Sequence, residues 1–211
     1  MGYYKQPIVN GHKEADLNLI MDENHLNTLS IILQQGFLLK AQVGCSMKRF
    51  LIEGIGLSPE YIAERIQTIF LDGSPVDDLD SAIIKDGSHL ALSAAMPGLV
   101  GAAMRRGGVY SSLRNSITYQ ETGEQGILKE GSVTIKLFNL LMKDLGPYFL
   151  KKGIFIPSQD LAEYFSKQTQ DFWKGCKGIF FNGKPLVKDV LLKGKILLPY
   201  ALIHISVRTE S

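Results

Sequence analysis

Hydrophobic and polar positions fall into a readable order from Thr28 onward. T-L-S-I-I-L is followed by Gln34-Gln35-Gly36 and then by F-L-L-K-A-Q-V. Two apolar, β-branched-rich runs around a short glycine-containing connection predict a β-hairpin. In M-K-R-F-L-I-E-G-I, Met47, Phe50, Leu51 and Ile55 recur at i, i+3, i+4 spacing. That spacing predicts a helix capped by Ser46 and ended by Gly54 and Gly56. L-S-P-E-Y-I-A-E-R-I offers Ser58 as the cap of a second, short helix, with Pro59 at its first position and Glu60 in its first turn. T-I-F-L followed by Asp72-Gly73 reads as a strand entering a tight turn, and H-L-A-L-S reads as a further strand. The predicted order is strand, strand, helix, strand, strand. Residues 1–27 show no sustained periodicity, and Pro7, Asn10-Gly11 and Asp22-Glu23 mark turns, so they read as an N-terminal arm.

The order recurs. F-L-I-E-G-I-G-L-S-P-E-Y-I-A-E-R around Gly54 faces F-L-K-K-G-I-F-I-P-S-Q-D-L-A-E-Y around Gly153. I-F-L-D-G-S-P-V at 69–76 faces I-F-F-N-G-K-P-L at 179–186, and K-D-G-S-H-L-A-L at 85–92 faces L-K-G-K-I-L-L-P at 192–199. Three blocks in one order indicate an internal duplication, with an insertion near S-K-Q-T-Q-D-F-W-K-G-C in the second copy. Its first strand is expected at V-T-I-K-L-F (133–138), with I-T-Y-Q (117–120) as a hairpin partner. The helix after Asn139 is expected to bend or break at Gly146-Pro147, where proline removes an amide donor. The expected division is therefore an arm at 1–27, one unit at 28–96, a glycine-rich connection at 97–116 and a second unit at 117–211.

On F-L-I-E-G-I-G-L-S-P-E-Y-I, I-F-L-D-G-S-P-V and I-I-K-D-G-S-H-L-A-L-S, the first copy resembles the β-grasp family. Within that family it is most similar to the ubiquitin-like sulfur carriers of molybdopterin and thiamine synthesis. The resemblance covers about residues 28–96 and, more weakly, those after 117. It implies an α+β fold of two tandem β-grasp-like units. In sulfur carriers the last strand runs into a Gly-Gly terminus that becomes a thiocarboxylate. Here Arg105-Arg106-Gly107-Gly108 is followed by V-Y-S-S-L-R, so a carrier would exist only after cleavage behind Gly108. With Gly98, Gly101 and Pro97 alongside, the stretch reads first as a flexible connection between the copies. A folded binding loop is the alternative.

Composition narrows the function classes. With 45% hydrophobic and 21% charged residues in 211, the chain has the makeup of a globular protein able to bury a core. No apolar run is long enough for a membrane span, and the N-terminus lacks the apolar stretch of a signal peptide, so a cytoplasmic location and no membrane partner are expected. Net charge of +2 divides unevenly: residues 1–105 hold 8 basic and 12 acidic side chains, and residues 106–211 hold 15 and 9. Cys45 and Cys176 lack ligand spacing and read as free thiols, and the four histidines are scattered, so no metal site is expected. Asp77, Asp78 and Asp80 read as a solvated turn rather than a calcium loop.

No phosphate-binding glycine motif and no nucleophile signature is present, which leaves no catalytic residue and no cofactor to name. Phe165, Phe172 and Trp173 lie among Lys167, Lys174 and Lys177, but near-helical spacing makes them core residues rather than a nucleic-acid surface. Arg105 and Arg106, with the amides of Gly107 and Gly108, form the one candidate ligand site, for a small anion. The leading expectation is a non-enzymatic protein-binding or adaptor module, with another protein as its partner. A small anionic ligand-binding protein and a carrier released after Gly108 are the alternatives.

Overall fold

The computed structural model describes residues 13–120 and 126–210 and has a mixed α+β architecture. Its strands, in chain order, are β1 (Glu14–Asp22), β2 (Phe37–Val43), β3 (Cys45–Ser46), β4 (Thr68–Leu71), β5 (Ser74–Pro75) and β6 (Ile83–Ile84). They continue with β7 (His89–Ser93), β8 (Lys129–Phe138), β9 (Ile154–Pro157), β10 (Cys176–Phe181), β11 (Lys184–Pro185) and β12 (Leu202–Glu210). Among the described residues, 38–142 form one compact unit, and 13–37 with 143–210 form another. The first unit thus takes in the 97–116 stretch and β8, and the second takes in β1, which the tandem division at 28–96 and 117–211 did not anticipate.

In the first unit the strand order is β2-β8-β7-β4-β5. β7 runs antiparallel to β4, with Ala91 opposite Phe70, and parallel to β8, with Ala91 opposite Lys136. Alternate residues point one way into the core: Ile69 and Leu71, Leu90 and Leu92, Val133, Ile135 and Leu137 are all buried. Met47, Phe50, Leu51 and Ile55, on the predicted helical face, are buried with them. Ser46 caps that helix by accepting the Arg49 amide at 3.3 Å, and Ser58 caps the next by accepting the Tyr61 amide at 3.1 Å. The first helix widens to π geometry over Phe50–Ile55 and ends at Gly56, whose φ of 98° is left-handed. Gly54 lies inside it and does not end it.

The Asp-Gly turn forms as read. Asp72 and Gly73 take φ of 49° and 88°, and the carboxylate of Asp72 accepts the His89 amide at 2.7 Å. Nothing stands within 4 Å of where a Cβ at Gly73 would lie, so the glycine is there for its dihedral and not for space. Gly73→Val should therefore lower stability by about 1 kcal/mol or more through backbone strain alone. A thermal midpoint equal to that of the parent would show that the turn does not need positive φ.

The predicted strand at 28–33 is helical. A 3-10 stretch Glu23–Leu29 leads into an α-helix Ser30–Gln35. Leu26, Leu29, Ile32 and Leu33 are buried at helical spacing while Ile31 stays 57% exposed, so period overrides the β-branched composition. No 28–43 hairpin exists, and β2 begins after Gly36. The arm, by contrast, holds a strand: in β1, E-A-D-L-N-L-I-M-D buries Ala15, Leu17, Leu19 and Met21 in strict alternation.

The second unit has the order β11-β10-β1-β12-β9. β1 lies parallel to β12 along its whole length, from Glu14↔Leu202 to Asp22↔Glu210, and antiparallel to β10. Phe165, Phe172 and Trp173 are buried, with ring centroids 4.9 to 6.2 Å apart, and so belong to the core. The helix Leu140–Lys152 continues through Pro147. I-T-Y-Q is not a strand, and the expected last strand at 192–199 is instead a helix, Lys188–Leu192, followed by turns.

One hairpin device recurs in both units residue by residue. β4–β5 and β10–β11 share a register, Phe70↔Pro75 matching Phe180↔Pro185. Asn182-Gly183 repeats the left-handed turn with φ of 48° and 74°. The bond from the Val76 amide to Ile69 O is matched by that from Leu186 to Ile179 O, at 2.9 and 2.8 Å. Asp72 reaches the amide of His89 on β7, and Asn182 reaches the amide of Asp16 on β1 in the same way, at 2.9 Å. The two hairpins thus dock on β7, which follows its hairpin in the chain, and on β1, which precedes its hairpin by more than 150 residues.

Candidate functional site

The glycine-rich stretch is folded onto the first unit. A helix, Gly98–Met104, and a 3-10 turn, Ser111–Arg114, flank Arg105-Arg106-Gly107-Gly108. Arg114 is 3% exposed and organises the segment. Its Nη1 and Nη2 donate to Asp77 Oδ2 and Oδ1 at 3.0 and 2.7 Å. Its Nε donates to Ala103 O at 2.7 Å, and Nη1 also reaches Thr118 Oγ1 at 2.9 Å. The Tyr119 amide then donates to Pro75 O at 2.8 Å. Gly101 is needed at its position, because a Cβ there would stand 2.0 Å from Met96 O.

The predicted anion-binding residues are brought together, with the Arg106 side chain and the two glycine amides turned inward. The Gly107 amide donates to Asp77 Oδ1 at 3.1 Å, and the Gly108 amide to Arg105 O at 3.1 Å. Arg106 donates its amide to Gln67 O at 2.8 Å and its Nη2 to Ile62 O at 3.2 Å, and burial lowers its pKa. Its Nη1 has no hydrogen-bond partner, and Arg105 faces solvent. The aspartate cluster is likewise consumed locally. Asp77 serves Arg114, Asp78 accepts the Asp80 amide at 2.9 Å, which lowers its pKa, and Asp80 pairs with Lys48 at 3.1 Å. Cys45 is buried and its thiol pKa is raised by desolvation, as is that of Cys176.

While its polar groups turn in, this segment turns apolar side chains out. Leu99, Val109 and Leu113 are 70%, 91% and 71% exposed, and Val100, Tyr110 and Ile117 are exposed as well. No acidic residue occurs between Pro97 and Gln120.

Next to it, the outer face of the sheet carries a groove of about 750 Å³. Cross-strand register builds it. Phe70, Ala91 and Lys136 form one row across β4, β7 and β8, and Ser93 with Phe138 continues the next. Ala91 is the floor, because its methyl group leaves open the space between Phe70 and the neighbouring strand. Phe138, Met96 and Pro97 complete apolar walls, Asp72 and His89 lie towards one end, and Lys136 stands in the middle row across from Ala91. Asn139, left-handed at φ 56°, turns its amide onto Ser93 Oγ at 2.8 Å and so fixes the other end.

The second unit carries different side chains in the equivalent row. By the shared hairpin register, Asn18 takes the place of Ala91 and Ser206 that of Lys136, opposite Phe180 in place of Phe70. Asn18 Nδ2 donates to Ser206 Oγ at 2.8 Å across this row. The groove was not legible from the sequence, since its residues come from three strands. In comparison with known proteins, no family model, curated protein or solved structure matches the chain.

Proposed function

We propose that the chain is a non-enzymatic protein-binding module, β-grasp-like in its first unit, that docks another protein on the outward face of residues 97–119. The observation that carries this reading is the combination of a fixed backbone and exposed apolar side chains. Arg114 spends its donors on Asp77, Ala103 and Thr118, so Leu99, Val109 and Leu113 are presented on a preorganised surface. Contiguous exposed apolar patches mark interaction sites more often than monomer surface. A helix-backed mixed sheet, with the strand after Lys85-Asp86-Gly87 at its middle, supports the β-grasp-like reading.

The test is a photo-crosslinking residue at Leu113 in the native host. One protein should be captured, and Leu99→Glu with Leu113→Glu should abolish capture. The double variant should change stability by no more than about 0.5 kcal/mol per site, as for surface substitutions elsewhere. Capture that is diffuse, or unchanged in the double variant, would remove this face from consideration.

A further inference from the structure

We propose that the groove over Ala91 binds an uncharged, mainly hydrocarbon molecule that brings one carbonyl oxygen to the Ser93 hydroxyl. The site goes beyond the protein-docking reading, which concerns the neighbouring segment. Its volume, about 750 Å³, falls in the range of small-molecule pockets, roughly 300–1,000 Å³. Phe70, Phe138, Met96 and Pro97 wall it over the Ala91 floor, a lining that suits a flat ring. Asp72 and Lys136 bring one formal charge of each sign, and neither is idle. Asp72 accepts the His89 amide at 2.7 Å and the Ser88 hydroxyl at 3.4 Å, and Lys136 and His89 each have an interaction of their own. A charged ligand would lose its hydration here without meeting a counter-charge in need of a partner, so the ligand is neutral.

The oxygen follows from the end fixed by Asn139. Ser93, 4% exposed, lines the groove beside Phe138, and Thr68, 1% exposed, stands directly opposite Ser93 on the same face of the sheet. Asn139 gives both hydrogens of its amide away, at 2.8 Å to Ser93 Oγ and at 3.2 Å to Ala95 O. Because a backbone carbonyl can only accept, the amide orientation is fixed and Ser93 Oγ is held as an acceptor. The Ser93 hydroxyl proton is thereby left without an acceptor among the described residues, and Thr68 Oγ1 has no hydrogen-bond partner among them. Buried hydroxyls short of a partner are costly, and an acceptor on a ligand relieves the one that lines the groove. A carbonyl oxygen supplies it without adding a proton to a corner that already holds two unbonded ones. The hydroxyls are no requirement of the hairpin device, since Gly178 and Ile20 of the second unit stand where Thr68 and Ser93 do.

The experiment titrates the full chain with acetophenone, ethylbenzene and benzoate, each within its aqueous solubility, by amide NMR. Acetophenone should saturate one site, with shifts confined to β4, β7, β8, Met96–Pro97 and Asn139. Ethylbenzene fills the same space without the oxygen and should bind about tenfold more weakly, the usual worth of one buried hydrogen bond. Benzoate should also bind more weakly than the ketone, because its charge finds no free partner. Ser93→Ala should bring acetophenone down to the level of ethylbenzene and leave ethylbenzene unchanged, a readout that a purely structural serine would not move. Should Ser93→Ala fail to fold, the ranking of the three probes on the parent protein still decides. Ala91→Phe should abolish binding of all three, with its amide spectrum confirming that it folds. Leu113→Glu should leave acetophenone binding intact, which separates this site from the docking face. Absence of saturation, shifts elsewhere, ethylbenzene or benzoate binding as tightly as acetophenone, or a preference that survives Ser93→Ala would each overturn the assignment.

Discussion

Asp77→Ala should destabilise the first unit by about 3–5 kcal/mol, the cost of leaving a buried guanidinium without its counter-charge. Arg114 is 3% exposed and places two of its nitrogens on the Asp77 carboxylate, which also holds the Gly107 amide. Removing the carboxylate leaves the guanidinium with neutral acceptors only, Ala103 O, Thr118 Oγ1 and Arg105 O, and takes the acceptor from the Gly107 amide. Arg114→Met should cost less, because Asp77 retains 33% side-chain exposure and can be hydrated when its partner is gone. Chemical denaturation of the two variants reads the asymmetry. Amide exchange at Gly107 should accelerate more in Asp77→Ala than at Ile135 on β8. Equal, sub-kilocalorie losses in both variants would mean that the ion pair is not holding the 97–119 segment.

Phe165→Ala should cost about 3–5 kcal/mol in the second unit, the range for deleting a fully buried aromatic ring. Its ring is wholly buried among Tyr164, Phe172 and Trp173, with centroids 5.4, 6.2 and 5.9 Å away. The chain has a single tryptophan, and Trp173 lies in this cluster, so its fluorescence reports this unit's unfolding. A stacking surface for nucleic acid would behave otherwise: stability would hold while retention on a polynucleotide fell. A fluorescence midpoint unchanged in Phe165→Ala would restore that alternative.

Features that depend on a few neighbouring residues were legible in the sequence. Ser46 and Ser58 cap where expected, and Asp72-Gly73 turns as expected, because a cap or a left-handed turn is decided within about four residues. Thr28–Leu33 has the β-branched content of a strand, but Leu26, Leu29 and Leu33 carry a helical period, and the period decides the fold there. β1 was available in the alternation of Ala15, Leu17, Leu19 and Met21, and was obscured by the polar residues between them. Arg105-Arg106-Gly107-Gly108 reads as a linker when taken alone, for the partners that fold it, Asp77 and Arg114, are set by tertiary structure. The groove is farther still from the sequence, because its depth depends on Ala91 standing between Phe70 and Lys136 from two other strands.

The parallel pairing of β1 with β12 bears on the order in which the chain can fold as it is made. Asn18 and Ser206, bonded side chain to side chain, are 188 residues apart, as are Asp16 and His204. On a ribosome β1 emerges before every other described strand and stays without its parallel neighbour until nearly all the described chain has followed. The first unit, whose last strand ends at Phe138, has all its strands available well before then. During that interval the buried face of β1, Ala15 to Met21, is an uncovered apolar edge of the kind that recruits chaperones or pairs wrongly. The charged and polar residues that alternate with it, Glu14, Asp16, Asn18 and Asp22, then serve a purpose before the native state exists, by keeping a waiting strand in solution.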